Sequence, residues 1–141
     1  MNIDTTQQQI IDEFSDRAEW FDKYEHLITL GRELNVQTED FKTQENSISG
    51  CQSEVWLSAT MQDGRVRILA DSDALITKGI ISLLLRVLDG RTPGAIVEAD
   101  LYFVEEIGLE SHLSPARSNG LAAIIQNIRS RAEAFLSSSE P

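Results

Sequence analysis

One cysteine and two histidines are the side chains of this sequence best suited to nucleophilic or metal chemistry, and a few arginines could stabilise an anion beside them. Cys51 follows Gly50 at the end of a polar stretch, Asn35 to Gly50, and precedes the alternating run Val55, Leu57, Ala59, Met61. With no second cysteine it cannot form an intramolecular disulfide, so it is either a small buried hydrophobe or a nucleophile. The first is the commoner state of a lone cysteine, but the setting argues for the second. Gly50 lets the backbone expose or bury the next side chain, and a long loop running into a strand is a usual place for function. Gly50 and the loop before it are therefore the expected moving part. No Lys, Arg or His lies within five residues of Cys51, and Glu54 adds negative charge three residues beyond it. Activation of the thiol must come from a residue distant in sequence, such as Arg117, or from a partner protein.

The other candidate chemistry is thinner. His26 and His112 are far apart, and with one cysteine they do not make the three- or four-ligand set of a zinc or iron–sulfur site, so no metal and no cofactor is expected. Each histidine is read as a surface or hydrogen-bonded structural residue. His112, with Ser114 and Arg117 nearby, is the one candidate base for a cysteine hydrolase, a weak alternative without any hydrolase signature. Gly31, Gly64 and Gly79 are isolated, so no phosphate-cradling loop is read.

Twelve Lys and Arg against 23 Asp and Glu give a net charge of −11, which repels nucleic acid and anionic lipid. No run reaches the roughly 18 apolar residues of a membrane span, and the first residues lack a signal-peptide pattern, so a cytoplasmic protein is expected. At 141 residues it should form one domain, 1–141, and act as a monomer or weak dimer.

The elements that must position Cys51 follow from periodicity. Helices are expected over Thr6 to Phe14 and Arg17 to Leu34, the latter with Trp20, Tyr24, Leu27 and Ile28 on its core face. After the long loop, with a short strand near Asn46 to Ser49, two alternating runs joined at Gln62-Asp63-Gly64 predict an antiparallel hairpin. Asp71, Ser72 and Asp73 are good caps for a strongly apolar central helix from Ala74 to Leu88. Thr92-Pro93 starts a short helix, Asp100 caps another ending near Gly108, and Ser114-Pro115 opens a last long helix whose tail after Leu136 should fray. The fold class is α+β, a small antiparallel sheet with several helices packed against it.

The stretch Asn46-Ser47-Ile48-Ser49-Gly50-Cys51-Gln52-Ser53-Glu54-Val55-Trp56 resembles the cysteine-loop signature of the SufE family, which includes CsdE. Trp20 with Tyr24, Leu30-Gly31, Asp71-Ser72-Asp73-Ala74, Lys78-Gly79, Thr92-Pro93 and Leu113-Ser114-Pro115-Ala116-Arg117-Ser118-Asn119-Gly120-Leu121 extend the resemblance over nearly the whole chain. It implies a single SufE-like domain with a fold like that of the cluster scaffold IscU. The implied role is that of an accessory protein rather than an enzyme. Cys51 would take persulfide sulfur from a cysteine desulfurase of the SufS or CsdA type, stimulate that enzyme, and pass the sulfur to a SufBCD scaffold for iron–sulfur cluster assembly. Gly50, Gln52 and Ser53 fall on the family's loop, and Asp73 and Arg117 on positions near the loop or the partner surface. Asp73 has a competing reading as a helix cap. Arg117 near a helix start gains nothing from the helix dipole, which slightly favours a specific role. Two rivals stand beside the carrier: a regulator that docks on the desulfurase without accepting sulfur, and a cluster scaffold, against which the single cysteine argues.

Overall fold

The computed structural model describes residues 2–17, 19–36, 38–49 and 53–139. Helix α1, Ile3–Ser15, begins where Asn2 caps it by accepting the Thr5 amide at 2.7 Å. It buries Ile10 and Phe14 and also Gln7, whose side chain donates to the Asp100 carbonyl and accepts from the Phe103 amide. A fully buried amide is tolerable because both of its ends are satisfied. Helix α2, Trp20–Glu33, starts three residues later than the apolar pattern predicts, because Arg17 is turned to another use. Its guanidinium donates to the Glu13 carbonyl, one of the unpaired carbonyls at the end of α1.

Strands β1, Val55–Gln62, and β2, Arg65–Ser72, pair in the register Val55↔Ser72 to Gln62↔Arg65. Both residues of the turn between them have positive φ, 55° at Asp63 and 79° at Gly64, the geometry of the two-residue hairpin whose twist matches its strands. Helices α3, Leu75–Leu88; α4, Pro93–Glu98; α5, Phe103–Glu106; α6, Leu109–His112; and α7, Pro115–Ser139, complete the domain. One core joins Leu57 and Ile68 of the hairpin to Leu83 and Leu84 of α3, Phe103 of α5 and Ile124 and Ile128 of α7. This is the predicted α+β class, a small antiparallel sheet packed by helices.

Helices α2 and α3 meet backbone to backbone. A Cβ on Gly79 would overlap the Leu27 carbonyl oxygen and stand 2.8 Å from its carbon. One on Gly31 would overlap the Leu75 carbonyl oxygen and stand 3.1 Å from the Gly79 nitrogen. Neither site has room for a side chain, which accounts for the glycines in the Leu30-Gly31 and Lys78-Gly79 pairs.

Three expectations about helix ends are corrected. Asp71 and Ser72 do not cap α3 but extend β2, where both are buried, and the helix begins one residue later with Ala74 at its N-cap and no side-chain cap bond. Polar residues can end a buried strand here because Asp71 is neutralised by two lysines and Ser72 donates to the Glu54 carbonyl at 2.7 Å. Asp100 caps nothing, since its carbonyl serves Gln7 and the next helix starts after Tyr102. Of the tail expected to fray, Ser137 to Ser139 continue helix α7, and Glu140 and Pro141 lie outside the described residues. Thr92 and Ser114 meet their predictions, accepting the amides of Ala95 and Arg117 at 3.3 Å each.

Candidate functional site

Gly50, Cys51 and Gln52 lie outside the described residues, so the site is built from the chain on either side. The approach is not a featureless loop. Phe41 and Ile48 are buried, a 3₁₀ turn covers Gln44–Asn46, and Asn46 donates to the Phe41 carbonyl at 2.8 Å. The expected short strand is reduced to a single bridge, Ser47↔Trp56, with the Ile48 amide donating to the Val55 carbonyl at 2.9 Å. Of the expected moving part, Gly50 lies outside the described residues, and the described loop before it is joined to the strand through Ile48.

The departing side is held as firmly. Asp73 accepts the Glu54 amide at 3.1 Å through Oδ1, and its own amide donates to the Glu54 carbonyl at 3.3 Å. The cap reading of Asp73 gives way to this role: its carboxylate fixes the strand entry three residues after Cys51 instead of the helix start. The Glu54 side chain is exposed, and it is the residue's backbone that is used.

Ser53, two residues beyond Cys51, opens onto a cleft of about 140 Å³. Ile80 of α3 and Leu121 and Ile124 of α7 give it an apolar floor, while Ser53, Thr77 and Arg117 bring polar groups to its rim. Ser53 Oγ and Thr77 Oγ1 are 3.4 Å apart. Arg117 reaches this place because Ser114 and Pro115 start α7 just ahead of it, and its guanidinium has no partner among the described residues. An apolar pocket with one cation and two hydroxyls at its mouth can shelter a thiol or a second sulfur while favouring the ionised form.

Of the predicted site residues, Ser53 and Arg117 meet at this cleft and Asp73 braces the chain beside it. His112 does not meet them. Its ring stacks on Trp20 with centroids 4.3 Å apart, and Nδ1 stands 3.0 Å from the Gly108 carbonyl oxygen, so the hydrolase alternative loses its base. His26 is likewise structural, bonded to Glu13 at 2.6 Å through Nε2. Glu13 also pairs with Arg86 at 2.9 Å; burial pushes its carboxyl up, and the bonds from Arg86 and His26 outweigh that and hold it below the ordinary range. Among the described residues no group of three or more His, Cys, Asp or Glu is placed to hold a metal ion, and no helix is long and apolar enough to cross a membrane.

Sequence reading missed Thr77, Gly120 and the apolar floor, which only helix packing brings together. It also missed Lys42 and gave Asp71 the wrong task. Asp71 is buried between Lys42, 2.8 Å from Oδ2, and Lys78, 3.0 Å from Oδ1. Burial pushes its carboxyl up, but the bonds from Lys42 and Lys78 win and hold it below the ordinary value, while the same contact raises Lys42. The sequence signal was Phe41 beside the one lysine of a loop whose other large apolar residues are Val36 and Ile48.

The family model of SufE, described as an Fe-S metabolism associated domain, matches residues 8–132. The chain belongs to the SufE family. An uncharacterised SufE-like protein of Rhizobium meliloti is 37% identical over 137 residues, covering 94% of this chain and 98% of its own. Another, from Synechocystis, is 36% identical over 127 residues, covering 90% of this chain and 80% of its own. The solution structure of a hypothetical protein from Thermus thermophilus has the same fold, with a TM-score of 0.76 at 21% identity over 94% of this chain and 96% of that one. Membership of the SufE family places the protein in iron–sulfur metabolism.

Proposed function

We propose that this SufE protein accepts sulfur as a persulfide on Cys51 from a cysteine desulfurase of the SufS or CsdA type, stimulates that enzyme by relieving it of sulfur, and delivers the sulfur to a SufBCD-type scaffold. It acts in the cytoplasm as a carrier and not as an enzyme in its own right. The observation that carries the reading is the cleft at Ser53, with its apolar floor and the Arg117 cation at its rim. It stands beside the family's cysteine loop in a chain that has a single thiol.

The step is displacement at sulfur. The Cys51 thiolate attacks the terminal sulfur of the desulfurase persulfide, the new Cys51 Sγ–S bond forms, the old S–S bond breaks, and the desulfurase thiolate leaves. The sulfur moves at constant oxidation state, so no external oxidant or reductant enters. The proton lost by Cys51 is balanced by one gained on the departing thiolate or left in solvent. Arg117 favours the thiolate before attack and the persulfide anion after it, since both carry negative charge. The apolar floor keeps small thiols and oxidants from the loaded sulfur between encounters.

The test is intact-protein mass spectrometry after incubation with a desulfurase and L-cysteine. Wild type is expected to gain the mass of one sulfur atom on Cys51, and Cys51→Ser to fold normally and gain none. Stimulation of the desulfurase without any sulfur on wild-type Cys51 would establish the docking regulator in place of the carrier.

A further inference from the structure

One buried carboxylate links the approach to Cys51 with the helix that faces the chain beyond it. The Asp71 side chain is only 5% exposed and is shared between Lys42 and Lys78. Lys42 belongs to the approach: its ammonium also pairs with Glu39 at 2.7 Å and stands 5.2 Å from the centre of the Trp56 ring. From Phe41, the residue before it, the Asn46 bond carries the hold forward to the turn that precedes Ile48. Lys78 belongs to the other side, following Thr77, whose hydroxyl faces Ser53 at 3.4 Å. Asp71 also lies opposite Trp56 in the hairpin register, so the ring beneath Lys42 and the carboxylate beside it are set by one pair of residues.

A buried ion pair is a poor way to gain stability, because desolvation offsets most of the attraction, and such groups are better attested as devices that specify one arrangement over others. An apolar residue at the end of β2 would serve the core without tying it to anything. We infer that Asp71 is a positioning residue for the cysteine loop: by holding Lys42 and Lys78 at once, it ties the approach to Cys51 to helix α3, whose Thr77 faces Ser53 beyond it. Its meaning for sulfur transfer rests on the carrier reading, but its test does not, because alkylation needs only the thiol.

The experiment compares the rate of Cys51 alkylation by iodoacetamide, with Tm measured alongside, in wild type, Lys42→Met, Asp71→Asn and Glu13→Gln. Lys42→Met keeps an unbranched side chain of similar length and removes the ammonium that stands over Trp56. Glu13→Gln weakens the comparable ion pairs to His26 and Arg86, which have no link to the loop. Lys42→Met and Asp71→Asn are expected to raise alkylation by about five-fold or more as the loop opens more often, and the double variant no further than the larger single effect. Glu13→Gln is expected to lower Tm and leave alkylation within about two-fold of wild type. If Asp71→Asn does not fold, Lys42→Met decides alone. Unchanged alkylation in folded Lys42→Met, or an equal rise in Glu13→Gln, would overturn the inference. Failure of wild type to accept sulfur would remove the carrier reading and leave this comparison standing.

Discussion

The α2–α3 contact and the surroundings of the cysteine loop are held by different physics. Between the helices, Gly31 and Gly79 let backbone meet backbone, and the arrangement is enforced by hard-core repulsion that no partner or pH can change. Around the loop the fastenings are hydrogen bonds and ion pairs: Asp73 to Glu54, Ser72 to Glu54, Lys42 and Lys78 to Asp71. Each is modest in net free energy and can be exchanged for water or for another protein's groups. The contrast suits a carrier, which needs a rigid body to dock and a thiol-bearing segment whose restraints a partner can compete for. It also makes α3 the shared reference, since Gly79 contacts one region and Thr77 and Lys78 the other.

The largest expected effect falls on the steric side. Gly79→Ala puts a methyl group against the Leu27 carbonyl, and because the neighbour is backbone it cannot turn away, so we expect a loss of about 3 kcal/mol or more in urea unfolding. Sulfur acceptance at a temperature where the variant remains folded should stay near wild type. A loss much under about 1 kcal/mol would mean the helix pair slides apart easily, and the contrast would fail.

Acid should separate the regions in the opposite sense. Asp71 and Glu13 have folded-state values below their unfolded ones, so their contribution to stability is fully present above the ordinary carboxylate value of about 4 and is lost as pH falls through the depressed values. Stability is therefore expected to be flat in this respect from neutrality to about pH 5 and to fall below about pH 4, less steeply in Glu13→Gln. Amide exchange in that range should rise around residues 39–49 and at the α1 junction before it rises at the α2–α3 contact. Simultaneous loss of protection in all three would show one cooperative unit in place of two kinds of fastening.

The smallest effect is the most local. Asp73→Ala removes one exposed hydrogen bond to the Glu54 amide and is expected to cost about 0.5–1 kcal/mol, with faster hydrogen exchange at Glu54 and little change at Val55 or Leu57. A protected Glu54 amide in the variant would show that the bonds to the Glu54 carbonyl, from the Ser72 hydroxyl and the residue-73 amide, hold the strand entry without the carboxylate.

Much of this molecule follows from local order in the sequence. Period-two alternation marked the hairpin and Asp63-Gly64 its turn; Thr92-Pro93 and Ser114-Pro115 marked helix starts; the apolar run after Ala74 marked the buried helix. These are legible because backbone geometry and side-chain period act over a few residues. The loop motif around Cys51 was legible for a related reason, since its residue types stand next to one another in the chain.

What only the tertiary structure decided is every relation that crosses the chain. Asp71, Ser72 and Asp73 have the composition of a helix cap, yet the lysines of two other segments and the backbone of Glu54 take them instead, because a cap bond is worth about 1 kcal/mol and tertiary partners outweigh it. Arg117 comes to the rim beside Ser53, 64 positions earlier in the sequence, while His112 is drawn aside to stack on Trp20. Periodicity says which face of a helix is buried but not what it meets, so the cleft between α3 and α7 had no local signature. The sequence determined that there was one thiol and where in the chain it lay; packing decided which cation and which apolar surface would stand beside the loop that carries it.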